Sequence, residues 1–258
     1  QEVLLRQMIT RLPVPDPVRP TGKKVAIIGS GPAGLSAAYF LNQVGHHVTV
    51  FEALPVLGGM LAVGIPEYRL PKARLQEEID VIAAAGVEFK TGVRIGTDIT
   101  IEQLKAQGYD AIFVAVGAWQ DQHIGIPGED KDGVMASLEF LRKVNTGWDP
   151  KLTGKRVAVI GGGNAAVDVA RSALRLGAQE VSIIYRRRRE DMPAIPQEIE
   201  DADHEGVKMR TLLAPLELVG NGRVEGLRCQ KMNLGDFDTS GRRRPVPIEG
   251  SEFVMPVD

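Results

Sequence analysis

The residues of this sequence that could do chemistry are glycines and charged side chains placed at the ends of short apolar runs. After the apolar run 25–28 come Gly29, Gly31 and Gly34, which have the spacing G-x-G-x-x-G. In such a turn the first glycine permits a tight bend, and the second lets a pyrophosphate approach the backbone. The third lets the following helix pack closely against the strand. The spacing therefore predicts a dinucleotide-binding turn.

An acidic side chain closes this first unit. Glu52 ends the next apolar run, about 20 residues past the first glycine, where a carboxylate can accept hydrogen bonds from both hydroxyls of an adenosine ribose. Gly45, between the two runs, stands where a helix C-cap belongs. A bare glycine-rich turn is the alternative interpretation of a lone fingerprint. Here strand, glycines, helix, strand and acid follow in the right order, which favours nucleotide binding.

The same pattern returns in the second half of the chain. Five positions match at one constant spacing: Val25 with Val157, Gly29 with Gly161, Gly31 with Gly163, Gly34 with Ala166, and Gly45 with Gly177. Matches at a single spacing predict an internal repeat of the nucleotide-binding unit.

The second copy ends in cations where the first copy ends in an acid. With one residue inserted, Tyr185 takes the place of the acid, and Arg186 and Arg187 follow directly. Guanidinium groups at this place are what a 2′-phosphate requires, so the run predicts NADP. A solvated charge run is the competing interpretation, which suits Arg188 and Arg189 best.

Two dinucleotide sites in one chain imply chemistry between their ligands. The glutamate side of the first site suits NAD or the ADP half of FAD, because both carry free ribose hydroxyls. The usual use of such a pair is hydride transfer from nicotinamide C4 to flavin N5, for which the protein aligns the rings and excludes water. No general base or nucleophile is needed, so we assign no catalytic side chain. The four histidines have no metal-ligand spacing, and no metal site is predicted.

Composition excludes several other classes of function. Of the 258 residues, 43% are hydrophobic and 25% charged, and the net charge is −2. No basic field draws such a chain to nucleic acid or to an anionic membrane, and its apolar runs are too short to span a bilayer. The single cysteine, Cys229, excludes an internal disulfide, a C-x-x-C pair and an iron–sulfur site built by this chain alone. We expect a cytoplasmic protein.

The elements that must position these residues predict an α/β fold with two Rossmann-like dinucleotide-binding domains, the second inserted in the first. We expect a linker over residues 1–20, the first part of an FAD-binding domain over 21–120 and an NADP-binding domain over 121–258. Residues 111–116 predict a buried strand that ends at Gly117, and residues 93–95 a short strand. Thr100 and Gln103 fit a capping box. Alternating residues from 207 onward predict β-hairpins near the C-terminus, on which the three arginines 242–244 form a solvated face.

Four motifs together resemble the glutamate synthase small-subunit family, which includes the flavin halves of dihydropyrimidine dehydrogenase and of NADH-dependent ferredoxin:NADP oxidoreductase. The motifs are IGSGPAGL, GGML with GIPEYRLPK, GGGNAAVDVAR, and YRRRREDMPA. The resemblance implies FAD in the first unit, with these contacts: Gly29, Gly31, Pro32, Ala33, Gly34, Glu52, Gly59, Leu61, Arg69, Ile95 near the adenine, and Gly117. It implies NADPH in the second unit, on Gly161, Gly163, Asn164, Ala165, Arg186 and Arg187.

The same resemblance implies partners. Electrons in this family leave the flavin through iron–sulfur clusters, so we expect an iron–sulfur-containing or glutamine/glutamate-handling partner within a hetero-oligomer. The cysteine-rich segment and the closing part of the FAD domain are not seen in this sequence, which is therefore expected to be an incomplete copy. An NADP-binding scaffold or sensor without turnover is the alternative function. A disulfide reductase of the thioredoxin reductase type fails because Cys229 has no partner cysteine.

Overall fold

The computed structural model describes residues 19–239 and 241–258. The expected N-terminal linker therefore lies outside the described residues, apart from its last two positions. The chain divides into two compact units, which meet in sequence between Trp119 and Gln120. The boundary expected from the sequence lies one residue later. The assignment of FAD to one domain and NADP to the other stays a prediction.

A four-stranded parallel sheet forms the centre of the first unit. In chain order its elements are strand β1 (Lys24–Ile28), helix α1 (Pro32–Gln43), and strands β2 (His47–Glu52), β3 (Glu88–Thr91) and β4 (Ala111–Val114). The strand order is β3-β2-β1-β4, and each neighbouring pair is parallel. The carboxyl ends of all four strands therefore lie at one edge of the sheet, which is where ligands bind in open α/β sheets.

In the described part of this unit there are three further helices: α2 (Met60–Val63), α3 (Lys72–Ala84) and α4 (Ile101–Ala106). The capping box predicted for α4 is confirmed, because Gln103 N donates to Thr100 Oγ1 at 3.2 Å and Thr100 N donates to Gln103 Oε1 at 2.8 Å. The short strand predicted over 93–95 is wrong. The carbonyl of Arg94 accepts from two backbone N–H groups just downstream, which makes a turn and leaves one isolated bridge.

Apolar residues cover both faces of the first sheet. One cluster packs α1 and α3 against it: Val25, Ile27, Leu35, Ala38, Tyr39, Val48, Val50, Ile79, Ile82 and Val87. A smaller cluster on the opposite face holds Ala26, Phe51 and Leu104. Full burial of each large side chain contributes about 1.5–3 kcal/mol, so these clusters supply most of the unit's stability.

Strand β4 departs from the burial predicted for it. Phe113 is 43% exposed and Val114 is 59% exposed, although consecutive residues of a strand point to opposite faces. The prediction of a strand buried on both faces is therefore wrong. The physical reason is its position: β4 is the outer strand of the sheet, and the cluster around Leu104 of α4 packs against Ile112 but leaves Phe113 and Val114 exposed.

The second unit repeats the first at the level of secondary structure. Its helices and parallel strands are α5 (Ser137–Asn145), β5 (Arg156–Ile160), α6 (Asn164–Arg175), β6 (Glu180–Tyr185), α7 (Pro196–His204) and β7 (Lys208–Thr211). The strand order is β5-β6-β7. Helices α1 and α6 each have 12 residues, and Gly45 and Gly177 after them have φ of 88° and 90°. The internal repeat predicted from the sequence is confirmed.

An antiparallel layer completes the second unit. Its strands are β8 (Leu213–Val219), β9 (Gly226–Phe237), β10 (Arg243–Pro247) and β11 (Phe253–Pro256). The first half of β9 pairs with β8 and β11, whereas its second half pairs only with β10. We call residues 232–239 and 241–247 the hairpin arm. The β-hairpin region predicted near the C-terminus is confirmed.

An exposed apolar edge strand is a site for association with another chain. We expect the isolated chain to self-associate through β4, and Val114→Lys to raise the monomer fraction while changing the free energy of unfolding by less than about 0.5 kcal/mol. Light scattering over a concentration series measures this. Phe40→Lys, which removes an equally exposed apolar side chain from α1, is the matched control. A wild-type chain that stays monomeric throughout the series contradicts the prediction.

Two candidate dinucleotide sites

The glycine turn of the first unit leaves no room for side chains at two of its three glycines. Gly29 has φ of 103°, and a Cβ atom there would lie 2.4 Å from the carbonyl oxygen of Ala115. A Cβ atom on Gly34 would lie 1.9 Å from the carbonyl oxygen of Gly29. At Gly31 an added Cβ would meet no atom within 4 Å. The first and third glycines are thus required by packing, and the second leaves its backbone open to a ligand.

Helix α1 begins at this turn, so its N-terminus lies near the carboxyl end of β1. Gly31 is the N-cap, no side chain caps the helix, and the first turn carries no acidic residue. Backbone N–H groups at a helix N-terminus attract anions, helped by the helix dipole. The turn and helix therefore fit the pyrophosphate of a dinucleotide.

Glu52 is buried at the end of β2 and is held by hydrogen bonds from the glycine turn. Its Oε2 accepts from the backbone N of Ser30 at 2.9 Å and from Ser30 Oγ at 2.6 Å. Its Oε1 accepts from Leu54 N at 2.8 Å. An ionised carboxylate has about four acceptor positions, so Oε1 retains capacity for a ribose hydroxyl. The sequence suggests that both ribose hydroxyls donate to Glu52. The second could do so only if Ser30 or Leu54 gave up a hydrogen bond to this carboxylate.

Ser30 is a site residue that sequence reasoning missed. It is fully buried, and its Oγ accepts from the backbone N of Gly58 at 3.1 Å while donating to Glu52. A Cβ atom on the next glycine, Gly59, would lie 2.8 Å from the Cα of Gly31. Ser30 thus connects the glycine turn to Glu52 and to the glycine pair 58–59. A hydroxyl inside the fingerprint was the signal that could have revealed it.

Lys72 fastens the segment that contains Leu61. Its Nζ donates to the carbonyl oxygens of Leu61 at 2.9 Å and of Ile65 at 2.5 Å. Burial lowers the pKa of this lysine, against a smaller opposing effect of Glu67. The predicted ligand Leu61 is therefore held by its backbone.

Three predicted residues lie apart from the network around Ser30. Arg69 follows Pro66 in a turn closed by their backbone groups. Ile95 packs against the cluster around Phe51. Gly117, with φ of 71°, follows β4 at the carboxyl edge of the sheet. Their contact with a cofactor stays a prediction, as does that of Pro32 and Ala33 in the first turn of α1.

The second unit has the same turn with one substitution. Gly161 has φ of 143°, and a Cβ atom there would lie 3.3 Å from the Cβ of Ala166. The third position therefore has room for the methyl group of Ala166, provided that the first position has no side chain. At Gly163, the N-cap of α6, an added Cβ would meet no atom within 4 Å. Ala165 is exposed in the first turn of that helix. This turn also fits a pyrophosphate.

The loop before α7 is anchored on this turn. Asn164 Oδ1 accepts from Ile195 N at 2.9 Å, and the carbonyl oxygen of Gly162 accepts from Ala194 N at 3.1 Å. The ring of Tyr185 lies beside Gly162, where a Cβ atom would be 2.6 Å from it. The predicted ligand Asn164 therefore already orders the neighbouring loop, and Gly162 was missed by sequence reasoning.

The arginines after β6 differ sharply in their surroundings. Arg186 is exposed and, among the described residues, makes no side-chain hydrogen bond or ion pair. Arg187 is only 6% exposed; its Nη2 donates to Asp238 Oδ2 at 2.6 Å and its Nε to the carbonyl oxygen of Arg243 at 2.9 Å. Arg186 is thus exposed, whereas Arg187 uses two of its five N–H donors within the protein. Contact of either arginine with a phosphate stays a prediction.

The next two arginines form local ion pairs. Arg188 Nε donates to Asp191 at 3.1 Å, and this hydrogen bond holds the pKa of that carboxyl below its usual value despite partial burial. Arg189 Nη1 donates to Asp203 at 2.7 Å. Their surroundings agree with the interpretation as a surface charge run.

Among the described residues, no reactive cysteine, membrane-spanning helix or metal cluster accompanies these two sites. Cys229 is buried, and burial raises the pKa of its thiol to about 11, so it is not a reactive thiolate. Across 19–239 and 241–258 no helix has the length and apolar character that a bilayer span needs. The same stretches contain no group of three or more His, Cys, Asp or Glu side chains suited to hold a metal ion.

Two glycine turns on two parallel sheets define a protein of the double dinucleotide-binding class. The chain belongs to the pyridine nucleotide-disulphide oxidoreductase family, whose family model matches residues 23–239. The α/β fold class predicted from the sequence is confirmed. Among solved structures, FprA of Mycobacterium tuberculosis in complex with NADPH is similar, with a TM-score of 0.76 and 25% identity over 93% of this chain and 69% of that chain.

Curated relatives are more similar in sequence. The beta subunit of the NADP(+)-dependent formate dehydrogenase of Moorella thermoacetica is 54% identical over 92% of this chain and 34% of its own length. The small chain of the NADPH glutamate synthase of Escherichia coli (strain K12) is 40% identical over 93% of this chain and 53% of its own length. The resemblance to the glutamate synthase small-subunit family is confirmed. The chain spans between a third and about half of these relatives.

Glu52→Ala is expected to weaken retention of FAD by about 1.5–3 kcal/mol, because a ribose hydroxyl loses a charged acceptor. Flavin content after gel filtration measures this, with Glu77→Ala, which removes an exposed carboxylate from α3, as the matched control.

The melting temperature of Glu52→Ala should fall as well, since Ser30 and Leu54 lose their acceptor. Glu52→Gln keeps one carbonyl oxygen as an acceptor. Its melting temperature should therefore stay closer to the wild-type value than its flavin content does. Unchanged flavin content in both variants removes Glu52 from the site.

Proposed function

We propose that this chain is the nucleotide-binding portion of a flavin-dependent NADPH oxidoreductase, in which FAD binds the first unit and NADPH the second. The observation that carries this proposal is the contrast between the two strand ends. The first glycine turn faces a buried carboxylate, Glu52, and the second is followed by an exposed guanidinium, Arg186. The two sites therefore select different riboses.

The first site suits a cofactor whose adenosine ribose carries no phosphate. A phosphate on that ribose would meet the buried negative charge of Glu52, whereas hydroxyl groups can donate to it. FAD and NAD share this feature. Membership of a family of pyridine nucleotide oxidoreductases, together with similarity to the small chain of a glutamate synthase, supports FAD.

The second site suits NADPH. Arg186 is a fixed positive charge directly after β6, at the place where the first unit has the acid Glu52. The similar FprA structure contains NADPH, and two relatives are named for NADP or NADPH. These observations support a coenzyme with a 2′-phosphate.

The residues of this chain bind and orient; none is proposed as an acid, a base or a nucleophile. When bound, FAD supplies the chemistry by accepting the hydride of the reduced nicotinamide. The glycine turns and the N-termini of α1 and α6 hold the two pyrophosphates. Ser30 and Lys72 keep Glu52 and the segment around Leu61 in place.

We further propose that the electrons pass to a partner and that the chain works within a hetero-oligomer in the cytoplasm. The relatives are named as a beta subunit and a small chain, and this chain spans only part of their length. Iron–sulfur clusters of a partner subunit or domain, or a partner that handles glutamine and glutamate, are the proposed destination. A lone buried cysteine rather than paired cysteines is typical of a reducing compartment.

Reconstitution with FAD tests the activity directly. We expect the chain to retain FAD and the flavin absorbance band to bleach when NADPH is added without oxygen, because the reduced nicotinamide gives up its hydride. Bleaching by NADH should be weaker at the same concentration. Tight NADPH binding by a chain that retains no flavin would instead support an NADP-binding scaffold or sensor.

Arg186→Ala is expected to weaken NADPH binding by about 1.5–3 kcal/mol, the scale of a charge-assisted hydrogen bond, and to leave NADH binding nearly unchanged. Titration calorimetry with both coenzymes measures the difference, which should shrink as salt is raised. Arg189→Ala is the matched control, because its guanidinium is paired with Asp203. Wild-type protein that binds NADH as tightly as NADPH contradicts the coenzyme assignment.

A further inference from the structure

The hairpin arm ends in a tight turn that is organised by Asp238. The backbone N of Asp238 donates to the carbonyl oxygen of Arg242 at 2.8 Å. Asp238 Oδ1 accepts from the backbone N of Arg242 at 3.2 Å. One carboxylate oxygen therefore closes the turn of the arm on itself, and the other is left to reach outside it.

The second oxygen of Asp238 ties the turn to the end of strand β6. Arg187 Nη2 donates to it at 2.6 Å, and Arg187 Nε donates to the carbonyl oxygen of Arg243 on the other side of the turn. The carbonyl oxygen of Arg187 in turn accepts from Leu212 N at 3.0 Å, just after β7. A single buried guanidinium thus joins the turn of the arm to the carboxyl edge of the parallel sheet.

The arm that this connection holds carries positive charge. Three consecutive arginines, 242–244, follow the turn. The guanidinium of Arg243 lies over the ring of Phe237, 5.3 Å from its centroid. Arg244 is exposed and, in the part of the chain that the structure describes, makes no side-chain hydrogen bond or ion pair.

The arm contacts the residue that follows Arg186, because Arg187 Nε lies 2.9 Å from the carbonyl oxygen of Arg243. Arg186 and Arg187 are neighbours in the chain, with Cα atoms about 3.8 Å apart, and the Arg187 side chain touches the turn. The Debye length at physiological ionic strength is about 8 Å. Guanidinium groups on the arm add attraction for a phosphate held by Arg186 if they lie within about this length of it.

We propose that the hairpin arm is part of the 2′-phosphate site: its arginines add a second source of positive charge beside Arg186, and Arg187 with Asp238 positions them. The inference rests on the proposed NADPH function. Arg187 is a positioning residue in this arrangement, because it directs two of its N–H donors to the arm. The opposing possibility is that Asp238 competes with the phosphate for Arg187, in which case the carboxylate would hinder binding.

Calorimetry on the full chain with 2′,5′-ADP separates the two possibilities. This probe carries the 2′-phosphate, and 5′-AMP lacks it. If the arm is held in place by Asp238, Asp238→Ala should raise the dissociation constant of 2′,5′-ADP about threefold to fivefold, the scale of a screened charge interaction, without changing that of 5′-AMP. Arg187→Ala should do the same, and the double variant should be no worse than either single one.

The variants Arg243→Ala and Arg244→Ala test the arginines themselves. They should weaken binding of 2′,5′-ADP by a similar factor and reduce the salt dependence of that binding. Arg189→Ala, in the same arginine run but paired with Asp203, should change neither probe. Asp238→Asn keeps one side-chain acceptor, which can still accept from the backbone N of Arg242, and removes the charge that faces Arg187. It therefore reports the role of the charge if Asp238→Ala folds poorly.

Each outcome bears on the proposal. Binding of 2′,5′-ADP that is unchanged or tighter in Asp238→Ala or Asp238→Asn, with the wild type still preferring it over 5′-AMP, overturns the role of the arm alone. A wild type that does not prefer 2′,5′-ADP overturns the NADPH assignment and the role of the arm together.

Discussion

The close approach of helix to strand at each glycine turn is the constraint on which the rest of this structure depends. In the first unit the backbone of Gly34 lies so near the carbonyl oxygen of Gly29 that a methyl group would collide with it. Helix α1 therefore starts directly beyond β1, and its free N–H groups point at the edge where all four parallel strands end. Once that contact is made, the position for an anion is set by backbone alone.

In the proposed function, side chains next to this backbone frame select the nucleotide that each unit binds. The two units share strand order around their turns and helices of equal length. They differ where the second strand ends, in Glu52 or in Tyr185 followed by Arg186. A buried carboxylate favours hydroxyl donors and repels phosphate, whereas an exposed guanidinium does the reverse. The proposed difference in nucleotide selectivity between the two units therefore depends on very few residues.

Sequence predicted the parts of the fold that arise from local pattern. Both glycine fingerprints, the capping box at Thr100 and the matching helices α1 and α6 follow from spacing and residue type, because these interactions join residues near each other in the chain. The strand expected over 93–95 failed because a local turn, closed at the carbonyl of Arg94, replaces strand pairing. The burial expected of β4 failed for another reason. Apolar residues show that a segment can be buried, but only the neighbouring elements decide whether it is covered.

The roles of individual polar residues were divided in the same way between sequence and tertiary structure. The sequence by itself determined that an acid ends β2 and that cations follow β6, since both lie at a known spacing from a fingerprint. Only the tertiary structure decided that Ser30 holds Glu52, and that Arg187 is buried against Asp238 while Arg186 is exposed. The two arginines differ because Asp238, the partner of Arg187, comes from a distant hairpin. No local sequence pattern reports a contact between residues so far apart in the chain.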